Sequence, residues 1–330
     1  MPQLLIRHST CIMLQYSYRS PLPPTPRQRS RQEWLQNAVS SSLPPVRWPN
    51  KARVALWICP NVLHYEYLPP ENAWINAWAR VPAPDVMMYG RQDFANRVGF
   101  WRMLEAVDRH GMRCTAVLNA EALIQNPSIR DAMVERDWDY LGHGINNTRF
   151  VHGLAGTEEA AYYRRMRQIV HEQTGKTLKG TGGPGPQAAT ENTPDILAQL
   201  GFTYHSDWFH DDMPTPLRVR SGRLISMPYA MDINDSPFLG SAFEAEDFVD
   251  MVKRHFDVLY REGEHSGKVM CVSLHPSLFG QAHRIKYLEE IFEYLRSYEG
   301  VWHATGSEIS DHYMAHCYDN AMAYLNGVGQ

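Results

Sequence analysis

From KARVALWICPNVLHYEY onward, short apolar runs alternate with longer amphipathic stretches, and few hairpin signals lie between them. This order constrains the fold more than any other feature. Strands separated by helices cannot pair as hairpins, so they form a mostly parallel sheet covered by helices, open or barrel-like. Val54 to Cys59 is a nearly continuous apolar run, as a buried strand requires. NRVGFWRMLEAVDRHG sets Val98, Trp101, Leu104 and Val107 at helical spacing and closes on Gly111. CTAVLNA and WDYLGHG predict strands, and NPSIRDAMVERD a helix capped near Asn126 or Ser128. TEEAAYYRRMRQIVHEQTG predicts a helix capped by Thr157 and ended by Gly175, with Glu158 and Glu159 at the positive end of its dipole. LKGTGGPG follows as a strand and glycine turn, NTPDILAQLG as a helix, and FTYHSDWF and LISMPYA as strands. The remainder predicts AEDFVDMVKRHFDVLYREG as a helix, KVMCVSLHP as a strand and IKYLEEIFEYLRSYEG as a helix. VWHATG closes the series as a strand before a short helix, SEISDHYMAH. There is no internal repeat and no second core, so residues 46–330 form one predicted domain.

Residues 1–45 have a different character. Residues 1–32 contain no Asp or Glu but carry Arg7, Arg19, Arg27, Arg29 and Arg31, a composition similar to an organelle transit peptide. The prolines of PLPPTPRQ oppose a continuous amphipathic helix there, so a flexible surface extension is the favoured expectation. A start assigned too early, with Met13 as the alternative, fits equally.

Composition excludes several classes. A formal net charge of −4 provides no basic field for nucleic acid. No run approaches the roughly 18 apolar residues of a membrane span, and MPQLLIRHSTCIML lacks the layout of a secretory signal. Cys11, Cys59, Cys114, Cys271 and Cys317 are scattered and odd in number, which suits a reduced, cytoplasmic protein.

The candidate chemistry lies at predicted strand ends. In a (β/α) barrel these ends ring one mouth, where active sites lie. His64 and Glu66 end the first strand, His143 a later one, and Gly182–Gln187 follow another. Asp207, Asp232–Asp235 and His275 come after that. Glu66 suits a general base whose pKa is raised by Tyr65 and Tyr67 packing, or a solvated loop carboxylate. His275 suits a general acid for a leaving nitrogen or oxygen, or a core histidine. In GTGGPGPQ, Gly183 and Gly185 let backbone N–H groups approach a ligand. It is not a phosphate loop, because prolines remove donors and no Lys follows. Asp207, Asp232 and Asn234 stand in turns where ordinary turn chemistry is the competing explanation. The long proline-punctuated stretch YLPPENAWINAWARVPAPDVMMYG is of the length at which loops are often functional.

From Trp48 to His312 the chain resembles the polysaccharide-deacetylase superfamily, and within it the branch of metal-independent bacterial allantoinases. The resemblance is carried in order by PPVRWPNKARVAL, VLHYEY, GFWRMLEAVDRHGMRCTAV, LGHG, TGGPGPQ, HSDWFHDDMP, MPYAMDINDSPF, HFDVLYREG and SLHPSLFGQAHR. It implies a distorted (β/α) barrel of the NodB-like type, hydrolysis of an amide C–N bond and a homo-oligomer, a dimer or tetramer. Metal-using members carry paired aspartates after the first strand, where this chain has Glu66 and Tyr67. They also carry a His-x-x-x-His motif, which here runs from His143 to Asn147. Two of three expected metal ligands are therefore replaced. The allantoinase-like branch has Asn where this chain has His64, and an arginine where this chain has Gly183.

The reading that results is a hydrolase of a small cyclic or linear amide (an imide, ureide or hydantoin-like ring) acting without a cofactor. Glu66, His143 and His275 are its catalytic residues. His64, Tyr65, Asn147, Gly183, Gly185, Asp207, Asp232 and Asn234 contact the substrate, and the amide of Asn147 both donates and accepts. One alternative is a metal-dependent N-deacetylase of an acetylated sugar, with zinc or another divalent ion on His64, Glu66 and His143. Another is a non-catalytic ligand-binding protein.

Overall fold

The computed structural model describes residues 40–69, 84–184, 189–229, 232–239 and 244–327. Among the described residues nine strands build one sheet: β1 Val54–Val62, β2 Thr115–Leu118, β3 Asp139–Gly142, β4 Gly180–Thr181 and β5 Tyr204–His205. β6 Thr215–Pro216, β7 Ile225–Ser226, β8 Lys268–Leu274 and β9 Val301–His303 complete it. The order is β6-β7-β5-β4-β3-β2-β1-β8, with β9 paired to β1. Every pairing is parallel except β6 with β7. All parallel strands therefore point their C-terminal ends the same way, as the alternation predicted.

The barrel is distorted at β1. β8 pairs along Val54–Pro60 on one side. The other side is divided, with β9 on Val54–Leu56 and β2 on Asn61–Val62. Beyond β8 the sheet continues as one parallel bridge, Asn234 to Ser273, so the sheet curls without a full closing ladder.

The period of two along β1 divides the core. Val54, Leu56 and Ile58 face the helices with Phe100, Leu104, Phe248, Phe256 and Phe292. Ala55, Trp57 and Cys59 face the barrel interior with Val117, Leu141, Tyr204, Ile225 and Cys271. Each fully buried Phe or Leu contributes about 1.5–3 kcal/mol, so this double layer is the main stabilising term.

Some local expectations change. The helix α1 Val86–Phe94 occupies the end of the proline-punctuated stretch, and a π turn, Ala95–Gly99, joins it to α2 Phe100–Arg109. Phe100, Met103, Leu104 and Val107 are buried, whereas Trp101 is exposed. Beyond α3 Ala120–Gln125, Asn126 precedes α4 Pro127–Glu135, but its amide donates to Ala122 O and makes no cap bond. The helix α5 Gly156–Thr174 is capped at Ala155, whose N–H donates to Glu158; Thr157 does not cap it. Glu159 is fully buried and accepts from the hydroxyls of Thr190 and Thr193, which fixes α6 Thr193–Gln199 on α5. FTYHSDWF and LISMPYA contribute only two strand residues each, and the short hairpin of β6 and β7, whose connection carries Ser221-Gly222, is an addition to the expected elements.

The remaining helices are α7 Asp235–Leu239, α8 Ala245–Glu262, α9 Ile285–Arg296, α10 Gly306–His316 and α11 Tyr318–Gly327. α11 was not predicted. Ser40 donates to Asp211, and Val46 N–H to Ser266, so attachment to the barrel begins before the expected boundary at residue 46. The rest of the expected extension, residues 1–39, lies outside the described residues. Among the described residues no helix is long and apolar enough to cross a membrane.

Candidate active site

Parallel register sets the site. Leu118, Gly142, Thr181 and His205 are consecutive partners across β2, β3, β4 and β5. His143, Gly182 and Ser206 therefore leave neighbouring strands at one level. Leu274 lies opposite Pro60, which brings His275 to the same rim.

His143 donates its backbone N–H to Leu118 O at 2.8 Å. Its Nδ1 lies 2.7 Å from Gly182 O. A carbonyl only accepts, so Nδ1 carries the hydrogen and Nε2 presents a lone pair. Burial is the main cause that pushes the His143 pKa down to about 4, against smaller upward effects of Gly182 and Asp207. At neutral pH the ring is an uncharged acceptor. It can hold a donor, but without a second proton it cannot donate to an oxyanion. The turn needs glycine next: Gly144 has φ +84°, and a Cβ there would stand 2.6 Å from the Tyr162 hydroxyl.

His275 is held differently. Its Nδ1 lies 2.6 Å from Asp235 Oδ1, and its backbone N–H donates to Asp235 Oδ2 at 2.7 Å. The Asp235 side chain is fully buried. Asn234 makes this geometry: its backbone bridges to Ser273 and its Oδ1 accepts from Ser236 N–H. Asn234 is thus a turn builder, and Asp232 is exposed, so neither expected substrate contact gains support. The acidic residue that matters in DINDSPF is Asp235. The motif displayed two aspartates, and only burial separates them.

The stretch 64–66 folds against the turn 147–149. Asn147 N–H donates to His64 O at 2.9 Å, and Asn147 Nδ2 to the Tyr65 hydroxyl at 2.5 Å. Thr148 Oγ1 donates to Glu66 Oε2 at 2.6 Å. Arg149 grips both carboxylate oxygens, Nε to Oε2 at 2.9 Å and Nη2 to Oε1 at 2.5 Å. Arg149 holds the Glu66 carboxyl below its ordinary range, with Thr148 adding to it against desolvation. The expectation of a raised Glu66 pKa is overturned, because its neighbour is a guanidinium and Tyr67 is exposed. Burial pushes the Tyr65 hydroxyl up to about 12, so it remains a phenol. His64 is lowered by burial, and its N–H donates to Asn119 Oδ1. Asn119, which is fully buried, also donates to His143 O and so ties the two strand ends together.

Gly183 donates its N–H to Asp207 Oδ1 at 2.7 Å, with φ +74°. Asp207 Oδ2 lies 3.0 Å from His205 Nε2. Gly185 lies outside the described residues.

The site thus has two parts. His143 feels the charges of Asp207 and His275, whereas Glu66 faces Arg149, Thr148 and His64. Among the described residues no three His, Cys, Asp or Glu side chains, His64, Glu66 and His143 included, are grouped as a metal centre requires. Sequence reasoning placed Asp235 among the strand-end residues without a role, and missed Arg149, Thr148, Asn119 and His205.

No family model matches the chain. "Putative polysaccharide deacetylase" of Schizosaccharomyces pombe is 27% identical over 298 residues, 81% of this chain and 92% of that protein. The crystal structure of a probable polysaccharide deacetylase from Pseudomonas aeruginosa superposes with a TM-score of 0.73 at 26% identity. It covers 83% of this chain and 95% of that one. In sequence and in fold the chain is similar to these polysaccharide deacetylases. The crystal structure of Puue allantoinase, in the same fold, matches with a TM-score of 0.72 at 25% identity, over 84% of this chain and 95% of that one. Two of these proteins carry the name of a polysaccharide deacetylase and one that of an allantoinase. The NodB-like barrel of this chain carries the strand-end histidines described above.

Proposed function

We propose that this protein hydrolyses a non-peptide C–N bond in a small cyclic or linear amide, of the imide, ureide or hydantoin kind, by attack of water and without a resident metal. The observation that carries this reading is what occupies the positions of a metal set. Arg149 and Thr148 satisfy Glu66, Tyr65 engages Asn147, and Gly182 engages His143. The first two are hydrogen-bonding arrangements suited to an amide and poorly suited to a divalent ion, whereas a carbonyl on His143 Nδ1 serves either.

In this reading Glu66 accepts a proton from water as its oxygen bonds to the carbonyl carbon. Oε1 has Arg149 as its partner and a second lone pair remains for that water. Its lowered pKa makes Glu66 a weak base, so the carbon attacked must already be electron-poor, as in an imide or ureide. His275, with Nδ1 fixed on Asp235, delivers a proton from Nε2 to the leaving nitrogen as the C–N bond breaks. His143 accepts an N–H of the substrate or a proton of the water at Nε2 and holds it in line.

A second reading is removal of an N-acetyl group from a sugar. The deacetylase names of the Schizosaccharomyces relative and the Pseudomonas structure favour it. A turnover screen over cyclic imides, hydantoins, ureides and N-acetyl sugars, with and without chelator, separates the two. The first predicts chelator-resistant turnover of a ring or ureide, abolished by Glu66→Gln. Activity confined to N-acetyl sugars, lost to chelator and restored by zinc, sinks it.

A further inference from the structure

Gly182 O, which accepts from His143 Nδ1 at 2.7 Å, and Gly183 N–H, which donates to Asp207 Oδ1 at 2.7 Å, are the two polar ends of one peptide bond. That peptide lies between an imidazole and a carboxylate. Asp207 is itself anchored: its side chain is 10% exposed and its other oxygen lies 3.0 Å from Nε2 of His205, which is 1% exposed. A Cβ on Gly182 would stand 3.2 Å from both Asp207 Oδ1 and Ser206 Cβ, so the close approach depends on glycine. Nδ1 of His205 is buried with no partner, as expected when Nε2–H is the proton given to Asp207.

A carboxylate on a peptide N–H polarises that peptide and makes its carbonyl a stronger acceptor. We propose that Asp207, acting through the Gly182–Gly183 peptide, is the positioning residue that fixes His143 in the Nδ1–H tautomer and keeps Nε2 as an acceptor toward the site. The inference rests on the reading that His143 contacts substrate or water, but the tautomer itself exists without substrate. His275 receives its carboxylate directly, whereas His143 receives one relayed through a peptide. The relay gives orientation without placing a full charge against the ring.

The test is nitrogen NMR on the full-length protein with ¹⁵N-labelled histidine, at pH 7.5 and without substrate. His143 is assigned by the signals missing in His143→Gln. The expected wild-type pattern is a protonated Nδ1 and a bare Nε2. In Asp207→Ala the proportion of the Nε2–H form rises by roughly fivefold, the scale of one weakened hydrogen bond. Asp207→Asn keeps an oxygen for Gly183 N–H but no charge, so it gives a smaller rise and serves where the alanine variant is poorly folded by near-ultraviolet circular dichroism. A folded Asp207→Asn and Asp207→Ala with His143 unchanged overturns the relay, as does Nε2–H in the wild type. If the tautomer responds and no amide is turned over, the relay stands and the catalytic reading falls.

Discussion

The ends of β3 and β8 each deliver a histidine with Nδ1 turned inward, but the partners differ. His275 meets the carboxylate of Asp235, whereas His143 meets the carbonyl of Gly182. A carboxylate lies where positive charge develops when Nε2 takes a proton, so it suits a group that carries protons. A carbonyl fixes the tautomer but offers less to an imidazolium, and burial holds His143 neutral with a pKa of about 4. In the proposed reading, two strand ends of one barrel turn the same residue type into a proton carrier and a neutral acceptor. Partner and burial decide together, not the histidine.

The largest expected effect breaks the first half of that comparison. Asp235→Asn cannot accept from Nδ1–H through its amide nitrogen, so it favours the wrong tautomer of His275. We expect kcat to fall by about 10²–10⁴ on whichever substrate the screen finds, the scale of such changes in other histidine–carboxylate pairs. A loss under tenfold would remove His275 as the proton donor.

His143→Gln should cost less. Glutamine Oε1 supplies a neutral acceptor, so we expect a loss of roughly 10–100-fold in kcat/KM, weighted toward KM. A loss equal to that of Asp235→Asn would show that His143 also moves a proton, and the contrast between the two strand ends would collapse.

Arg149→Met tests the adjoining carboxylate. Arg149 is the largest cause lowering the Glu66 pKa, and burial acts the other way. Its removal should move the acid limb of the kcat/KM profile upward, with kcat at neutral pH changed less than tenfold. An unmoved limb would assign it to another group.

The smallest effect is on stability. The His143 pKa is lowered on folding from 6.5 to about 4, so between these values the unfolded chain binds the extra proton. Stability is full above pH 6.5 and declines as pH falls toward 4. Urea unfolding of His143→Gln across this window should show a slope shallower by up to about one proton. Glu66 acts lower, since its contribution is present above 4.5 and is lost as pH falls through its depressed value. An identical slope in the variant would mean that His143 is not buried neutral.

Much of this barrel was legible in the chain. The parallel sheet, the helices after it and the placement of His64, Glu66, His143, Asp207 and His275 at strand ends follow from local pattern. Trp101, Leu104 and Val107 recur every third residue, which drifts by about 60° per step around a helix, so Trp101 lies off the face that buries Phe100, Met103, Leu104 and Val107. Other features were not legible. The three side chains that satisfy Glu66 and engage Tyr65 lie 82 or 83 positions away, and no local pattern reports such a distance. Asp232 and Asp235 look alike in DINDSPF until one is exposed and the other buried under His275.

The sequence alone determined which residue types reach the mouth of the barrel, because strand and helix periods are local and strand ends follow from them. Only the tertiary structure decided their protonation and pairing. Those depend on burial and on partners brought in by register: Asp235 onto His275, Gly182 onto His143, and Arg149 onto Glu66.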